Sequence, residues 1–192
     1  AESYIKALSQ KTSRGMRANA ERGQATGSKL YGYDTSPGGA IAINEAEAEV
    51  IRRIFTEYAA GRSGKEIAAR LNREGILTPR GGQWHPATIT GSQVRGNGIL
   101  RSEIYAGVKV WNRMLVLKDH RTGRKTLKIR PHAEWMRTAV PRLRIVDDGL
   151  WAEAQARLVS TRDAPMNERR RRTPSLFSGL MKCGQCGANY IV

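Results

Sequence analysis

Residues 63–94, SGKEIAARLNREGILTPRGGQWHPATITGSQV, carry the strongest local instruction in this chain. Ser63 and Glu66 form a capping box: the serine hydroxyl can accept from the amide near Glu66 while that carboxylate reaches back, satisfying donors that a helix start leaves open. The spacing predicts a helix from Gly64, with Ile67, Ala68 and Leu71 inward. It should end across residues 72–74, because Gly75 tolerates the left-handed conformation that stops a helix. Thr78, Pro79, Arg80, Gly81 and Gly82 spell a turn, Trp84 an apolar anchor, and Pro86 suits the first position of a second helix presenting Thr88, Thr90 and Gln93. This is helix-turn-helix logic, with a connection of about ten residues where the simple motif has three or four. The pattern alone fits equally a pair of amphipathic helices in any small core.

Charge separates those readings. The 192 residues hold 33 Lys+Arg against 17 Asp+Glu, a net charge of +16. A surface so charged repels itself and gains most by neutralising phosphates and releasing their counterions, so nucleic acid is the first candidate partner. The distribution is uneven: residues 31–99 carry only +1, whereas residues 100–146 carry +9. A ribosomal or chromatin-type protein spreads its charge through more of the chain; this layout suits positioned contacts around a near-neutral core. No apolar run approaches the roughly 20 residues of a membrane span, and no signal peptide opens the chain. A cytoplasmic protein without a membrane partner is expected.

Taken in order, residues 1–22 predict a helix with Ile5, Leu8, Thr12 and Met16 on a packing face and Lys6, Gln10, Arg14 and Arg17 roughly opposite. The basic face is either a phosphate contact or simply solvated. Its start lacks a capping residue, as if a longer helix had been cut. Gly23 and Gly27 then open a polar connector. Residues 30–33 and 40–43 flank a Ser-Pro-Gly-Gly turn and predict a hairpin. Asn44 with Glu47 repeats the capping pattern, and Val50, Ile51, Ile54, Phe55, Tyr58 and Ala59 give a clear helical stripe up to Gly61. Together with the two later helices this makes a three-helix cluster.

Beyond the glycine-rich residues 91–98, residues 105–111 read as a strand that residues 114–117 continue, and residues 125–130 alternate after a turn at Thr122-Gly123. The result is a basic hairpin. Its cations Lys118, Arg121, Arg124, Lys125, Lys128 and Arg130 either hold phosphates or blunt an exposed sheet edge. Residues 135–140 and 144–146 are short strand candidates. Asp147 caps a last helix with Leu150, Trp151, Ala154 and Leu158 inward, and from residue 160 the chain reads as a polar, arginine-rich linker.

The two cysteines, Cys183 and Cys186, form a C-x-x-C knuckle, which supplies half of a tetrahedral zinc site. The three histidines lie far upstream, so the partner ligands are expected after residue 192; two unmetallated thiols or, less favoured without a βαβ pattern, a redox pair are the alternatives. No serine-base-acid arrangement, carboxylate pair or glycine-rich phosphate loop is recognisable. The chain reads as a binder.

The blocks KTSRGMRANAERG, LYGY, EAEVIRRIFTEYAAGRSGKEIAARLNREGILTPRGGQW, ILRSEIYAGVKVWNR, VPRLRIVDDGLW and LFSGLMKCGQCG, in this order, resemble the large serine recombinases. The resemblance implies an α+β fold: a small helical cluster with a helix-turn-helix-like DNA-reading unit and short β-hairpins, preceded by a long basic helix. It divides the chain into a basic helix and connector (1–29), the recombinase domain (30–159), a basic linker (160–175) and the truncated start of a zinc ribbon (176–192). It implies a parent enzyme that cleaves DNA through a serine, exchanges strands in a synaptic tetramer built from dimers, and integrates or excises a mobile element. The catalytic domain of such a parent precedes residue 1. The chain alone is therefore expected to be non-catalytic and monomeric, with no cofactor of its own and zinc in the intact protein.

On this reading the first helix and connector cross double-stranded DNA near the minor groove and the unit after Ser63 addresses the adjacent major groove. Arg80, His85, Thr88, Thr90, Gln93 and Arg95 are expected at base edges. Arg14, Arg17, Arg22, Lys29, Arg113, Lys118, Arg121, Arg124, Lys125, Lys128 and Arg130 are expected at phosphates. The competing class is a non-catalytic basic nucleic-acid-binding protein, RNA-associated included, or a helix-turn-helix transcriptional regulator.

Overall fold

The computed structural model describes residues 2–27, 29–78, 80–118, 122–163, 182, 184 and 185. The chain divides into two compact units, Ala1–Ala156 and Arg157–Val192. The first holds the core.

Helix α1 (Glu2–Glu21) forms as expected, but its packing does not. Leu8 and Met16 stand 53% and 42% exposed, and among the described side chains of α1 those of the last turn dock, burying Ala20 and placing its carbonyl 3.0 Å from the Thr138 hydroxyl. The next hairpin is shifted from the expected span: β1 (Tyr33–Thr35) pairs antiparallel with β2 (Ile41–Ile43), Tyr33 opposite Ile43. Tyr31 and Gly32 instead make a turn, with Gly32 at φ +90, where a side chain would be strained and would press on Ile145. That turn lets Tyr31 and Tyr33 both point inward.

Helix α2 (Glu45–Ala59) is capped by Asn44, whose side chain accepts from the Glu47 amide at 3.2 Å. The Glu47 carboxylate accepts from the Gly32 amide at 2.7 Å, tying the helix start to the turn before it. Helix α3 (Gly64–Arg73) packs beside α2. A two-pronged pair from Arg53 to Glu74, at 2.5 and 2.6 Å, clamps the end of α3 to α2. This geometry fits a carboxylate well, though its partial exposure keeps its contribution small. Helix α4 (Pro86–Thr90) is short and buries Ile89.

The second half departs further from the sequence reading. Residues Glu103–Ala106 form a 3-10 turn, and left-handed Gly107 follows, so β3 begins only at Val108 (Val108–Trp111). Asn112 at φ +68 then breaks the strand. Consequently β4 (Met114–Lys118) does not continue β3 but pairs with β5 (Lys125–Ile129), Met114 opposite Ile129 and Lys118 opposite Lys125. The basic hairpin is thus an excursion between β3 and its partner β6 (Met136–Ala139). Residues 144–146 are not a strand: the Ile145 and Val146 amides both donate to the Tyr105 carbonyl, at 3.0 and 2.9 Å. Asp147 caps α5 (Asp148–Asp163) through the Leu150 amide, and the helix runs past residue 160, where a linker was expected.

The core of the first unit is aromatic at its centre. Tyr33 stacks on Tyr105 at 5.8 Å between centroids, Phe55 lies 6.2 Å from Tyr105 and 5.6 Å from Trp151, and Tyr31 meets Trp84 edge-on at 5.1 Å. The buried hydroxyls are satisfied: Tyr33 donates to the Leu143 carbonyl at 2.7 Å and Tyr105 to that of Tyr31 at 2.9 Å. Around them Ile51, Ile54, Ile67, Leu71, Ile89, Leu100 and Val146 are buried, each worth roughly 1.5–3 kcal/mol.

Candidate nucleic-acid interface

The reading unit is held at the start of its first helix and across its long connection. At the start of α3 the capping box is complete, with the Ser63 amide 2.8 Å from the Glu66 carboxylate and the Glu66 amide 3.3 Å from the Ser63 hydroxyl. At its end Asn72 grips the backbone of Trp84 twice, accepting from its amide at 2.7 Å and donating to its carbonyl at 2.9 Å. The Trp84 ring is 2% exposed and donates to the Ile76 carbonyl at 3.0 Å. Between them, the Thr78 amide donates to the Gly82 carbonyl at 2.9 Å, closing the turn that carries Arg80. The twelve residues between α3 and α4 are therefore tied down as an arch, not slack.

The contact of α3 with α4 is close. A Cβ on Gly64 would fall 2.6 Å from the Thr90 methyl, so this glycine sets the distance between the helices. Past α4 the chain crosses itself: Gly91 sits at φ +63, and a Cβ there would fall 1.6 Å from the Asn97 carbonyl oxygen. The Asn97 side chain also accepts from the Ser92 amide at 2.9 Å, and Arg101 donates to the free Thr90 carbonyl at 2.9 Å. This crossing ends the helix. Gln93 and Arg95, expected on that helix or just after it, stand instead on the loop that the crossing creates.

Of the residues expected at base edges, Arg80, His85, Gln93 and Arg95 are exposed and Thr88 is half-buried. Thr90 is different: its methyl faces Gly64 and its hydroxyl donates to the Pro86 carbonyl at 3.0 Å, so its donor is spent within the fold. Among the expected phosphate cations, Arg14 on α1, Arg22 in the turn after it, and Arg124, Lys125 and Lys128 on the hairpin are exposed. Arg17 pairs with Glu21 at 3.3 Å, Lys29 with Glu47 at 3.3 Å, and Arg130 with Glu134 at 2.7 Å. Arg113 does not stand as a free surface cation. It donates to the Gly96 carbonyl, pairs with Glu103 at 3.2 Å and lies over the Trp135 ring at 5.1 Å, knitting the crossing loop to the sheet. Desolvation lowers its pKa from an ordinary value so high that the guanidinium stays charged. Lys118 ends β4; its side chain, Arg121, Cys183 and Cys186 lie outside the described residues.

The structure gathers several of these groups in one open cleft of about 560 Å³. Its wall runs from the connector, with Thr26 and Lys29, across Arg80 and Thr88 of the reading unit to the Gly96–Gly98 crossing and Arg113. Sequence positions about 85 apart thus share one surface. Lys109, which sequence reasoning missed, also lines the cleft. It is 6% exposed, the only buried charged side chain among the described residues, and its ammonium has no hydrogen-bond partner. The available signal was a lone lysine inside the apolar strand GVKVW. Among the described residues no group of three or more His, Cys, Asp and Glu is set to hold a metal ion, and no helix is long and apolar enough to cross a membrane.

An arched helix pair leading onto a cation-lined cleft is a binding architecture, and its lineage is plain: the chain belongs to the Recombinase family, whose model matches residues 45–161. A protein of Bacillus subtilis (strain 168) named "Putative DNA recombinase" is 28% identical over 193 residues, covering 94% of this chain and 36% of its own. A solved chain described as "Crystal Structure of a LSR-DNA Complex" shares the fold, with a TM-score of 0.55 and 17% identity over 94% of this chain and 48% of that one. The α+β fold and the resemblance to large serine recombinases are borne out. The chain spans about a third of the curated relative's length and about half of the solved chain's.

Proposed function

We propose that this chain is the DNA-binding portion of a large serine recombinase: it recognises a double-stranded attachment or target site and positions a catalytic domain for cleavage and strand exchange. The observation that carries the reading is the cleft joining the connector, Arg80 and Thr88. A strand that follows it meets the basic connector and the reading unit in succession. Arg80, His85, Thr88, Gln93 and Arg95 supply donors and acceptors of the kinds that read base edges, and the exposed cations of α1 and the β4–β5 hairpin supply sequence-independent attraction to phosphate. Cleavage, element integration or excision, and assembly through dimers into a synaptic tetramer belong to the parent protein. There Cys183 and Cys186 would supply two of the thiolates of a zinc ribbon.

The test is titration of the chain with duplex DNA and with an RNA duplex of the same sequence as salt rises. With six to ten phosphate contacts, DNA affinity should fall by about 10³–10⁵ between 50 and 200 mM salt, and the RNA duplex should bind more weakly throughout. Equal binding to the A-form RNA duplex would contradict a major-groove reader.

A further inference from the structure

Lys109 is in the wrong place for an ordinary lysine. On β3 it sits opposite Thr138 of β6, on a short sheet that packs on the last turn of α1. Lysines are almost never fully buried unless paired, because the ammonium loses its water. Here it is 6% exposed and its Nζ has neither a carboxylate nor a carbonyl. Leucine or methionine would fill the same space without that cost. An unmatched buried donor that the fold retains calls for a partner supplied from outside.

The cleft indicates which partner. Its lining carries Lys29, Arg80, Lys109 and Arg113 with one carboxylate, Glu103; Lys29 is matched by Glu47 and Asp34 and Arg113 by Glu103, so Arg80 and Lys109 are the cations left to a ligand. Glu103 is already engaged by Arg113 at 3.2 Å and Arg137 at 3.3 Å, leaving the cleft with a positive field. Thr88 and the backbone around Gly96 and Gly98 add small polar groups and close backbone approach, which suit a compact tetrahedral anion.

We propose that Lys109 is a phosphate-binding residue: its ammonium, covered in the DNA-free chain, turns toward the cleft to take a non-bridging oxygen of one DNA backbone phosphate that enters between the connector and the reading unit. This rests on the DNA-binding reading above. The site would fix the register of the duplex, because a buried cation accepts a phosphate at one place only, whereas the hairpin lysines can follow the backbone as it slides.

The experiment compares the full chain with Lys109→Met and Lys109→Arg, measuring duplex affinity against salt together with thermal unfolding in the absence of DNA. For Lys109→Met the unfolding midpoint should hold or rise, affinity should fall about tenfold, and the salt slope should drop by about one. Lys109→Arg should keep the slope. An unchanged slope and affinity in Lys109→Met overturns the proposal, as does a loss of binding that merely tracks a lowered midpoint. Titration of inorganic phosphate into the DNA-free chain separates the sources: saturation at micromolar concentration, lost in Lys109→Met, would make the site one for a free anion and overturn the DNA assignment. If the unsubstituted chain shows no salt-dependent duplex binding, the DNA reading fails and this inference with it; loss of the Lys109 effect alone leaves that reading intact.

Discussion

The α2–α3–α4 cluster and the β4–β5 hairpin meet the same problem, placing side chains where a duplex can reach them, by opposite means. The cluster is nearly neutral and spends its residues on packing: Ile51, Ile54, Ile67, Leu71, Trp84 and Ile89 are all buried, and Asn72 and the capping box hold the backbone between them. The hairpin buries almost nothing. Val116 and Leu127, opposite each other, are 55% and 59% exposed, and every residue of β5 is exposed. A two-stranded hairpin is marginal by itself and takes its position from the strands it leaves and rejoins. Reading base edges demands side chains fixed to within a fraction of an ångström, which a packed arch supplies. Holding phosphates demands charge and reach, which a projecting ribbon supplies.

The sharpest way to break this comparison is Trp84→Ala. It should cost about 3–5 kcal/mol, because a large ring with a satisfied indole is removed from the middle of the arch; denaturant unfolding measures it. Ser63→Ala should cost about 1 kcal/mol in the same assay, the usual loss of one capping side chain. The double substitution Lys125→Gln, Lys128→Gln should leave stability within about 0.5 kcal/mol, as exposed surface changes do, while lowering the salt slope of DNA binding by about two. A hairpin substitution that unfolds the chain would erase the distinction between the regions.

The smallest effect is a pH signature of the buried cation. Burial holds the Lys109 pKa below the ordinary 10.5. Between the depressed value and 10.5 the unfolded chain binds more protons than the folded one, so stability rises with pH through that window. Burial also raises the pKa values of Tyr33 and Tyr105, which removes stability above about pH 10, but this is common to both chains in a comparison. The stability of the unsubstituted chain relative to Lys109→Met should therefore increase as pH climbs toward 10.5, read by urea midpoints at stepped pH.

How much of this could be read in advance follows the range of the interactions. Capping boxes, glycine stops and helical stripes act over a few residues, so α2, α3, the start of α4 and the β4–β5 pairing were visible, as was the grouping of Arg80 and Thr88. What failed needed partners far away. Residues 105–107 look like strand, but Tyr105 is drawn into the aromatic core and its carbonyl takes two amides from residues 145 and 146. The β3–β6 pairing spans the whole hairpin. Arg113 has the composition of a surface cation, and only the folded loop shows that Gly96, Glu103 and Trp135 claim it. Lys109 left only a faint signal, one lysine inside an apolar strand, because no local rule says whether the fold covers such a side chain.

Selection of the chain against duplexes randomised over about three helical turns, roughly 30 base pairs, at low and moderate salt, decides whether the arch reads sequence. A sequence-reading arch enriches a non-palindromic motif longer than one major-groove site, with Arg80→Ala or Gln93→Ala relaxing preference at single positions at a cost of about 1–3 kcal/mol. Salt-sensitive binding with no enriched motif would contradict it, leaving the charge as a general nucleic-acid attraction and the arch as scaffold only.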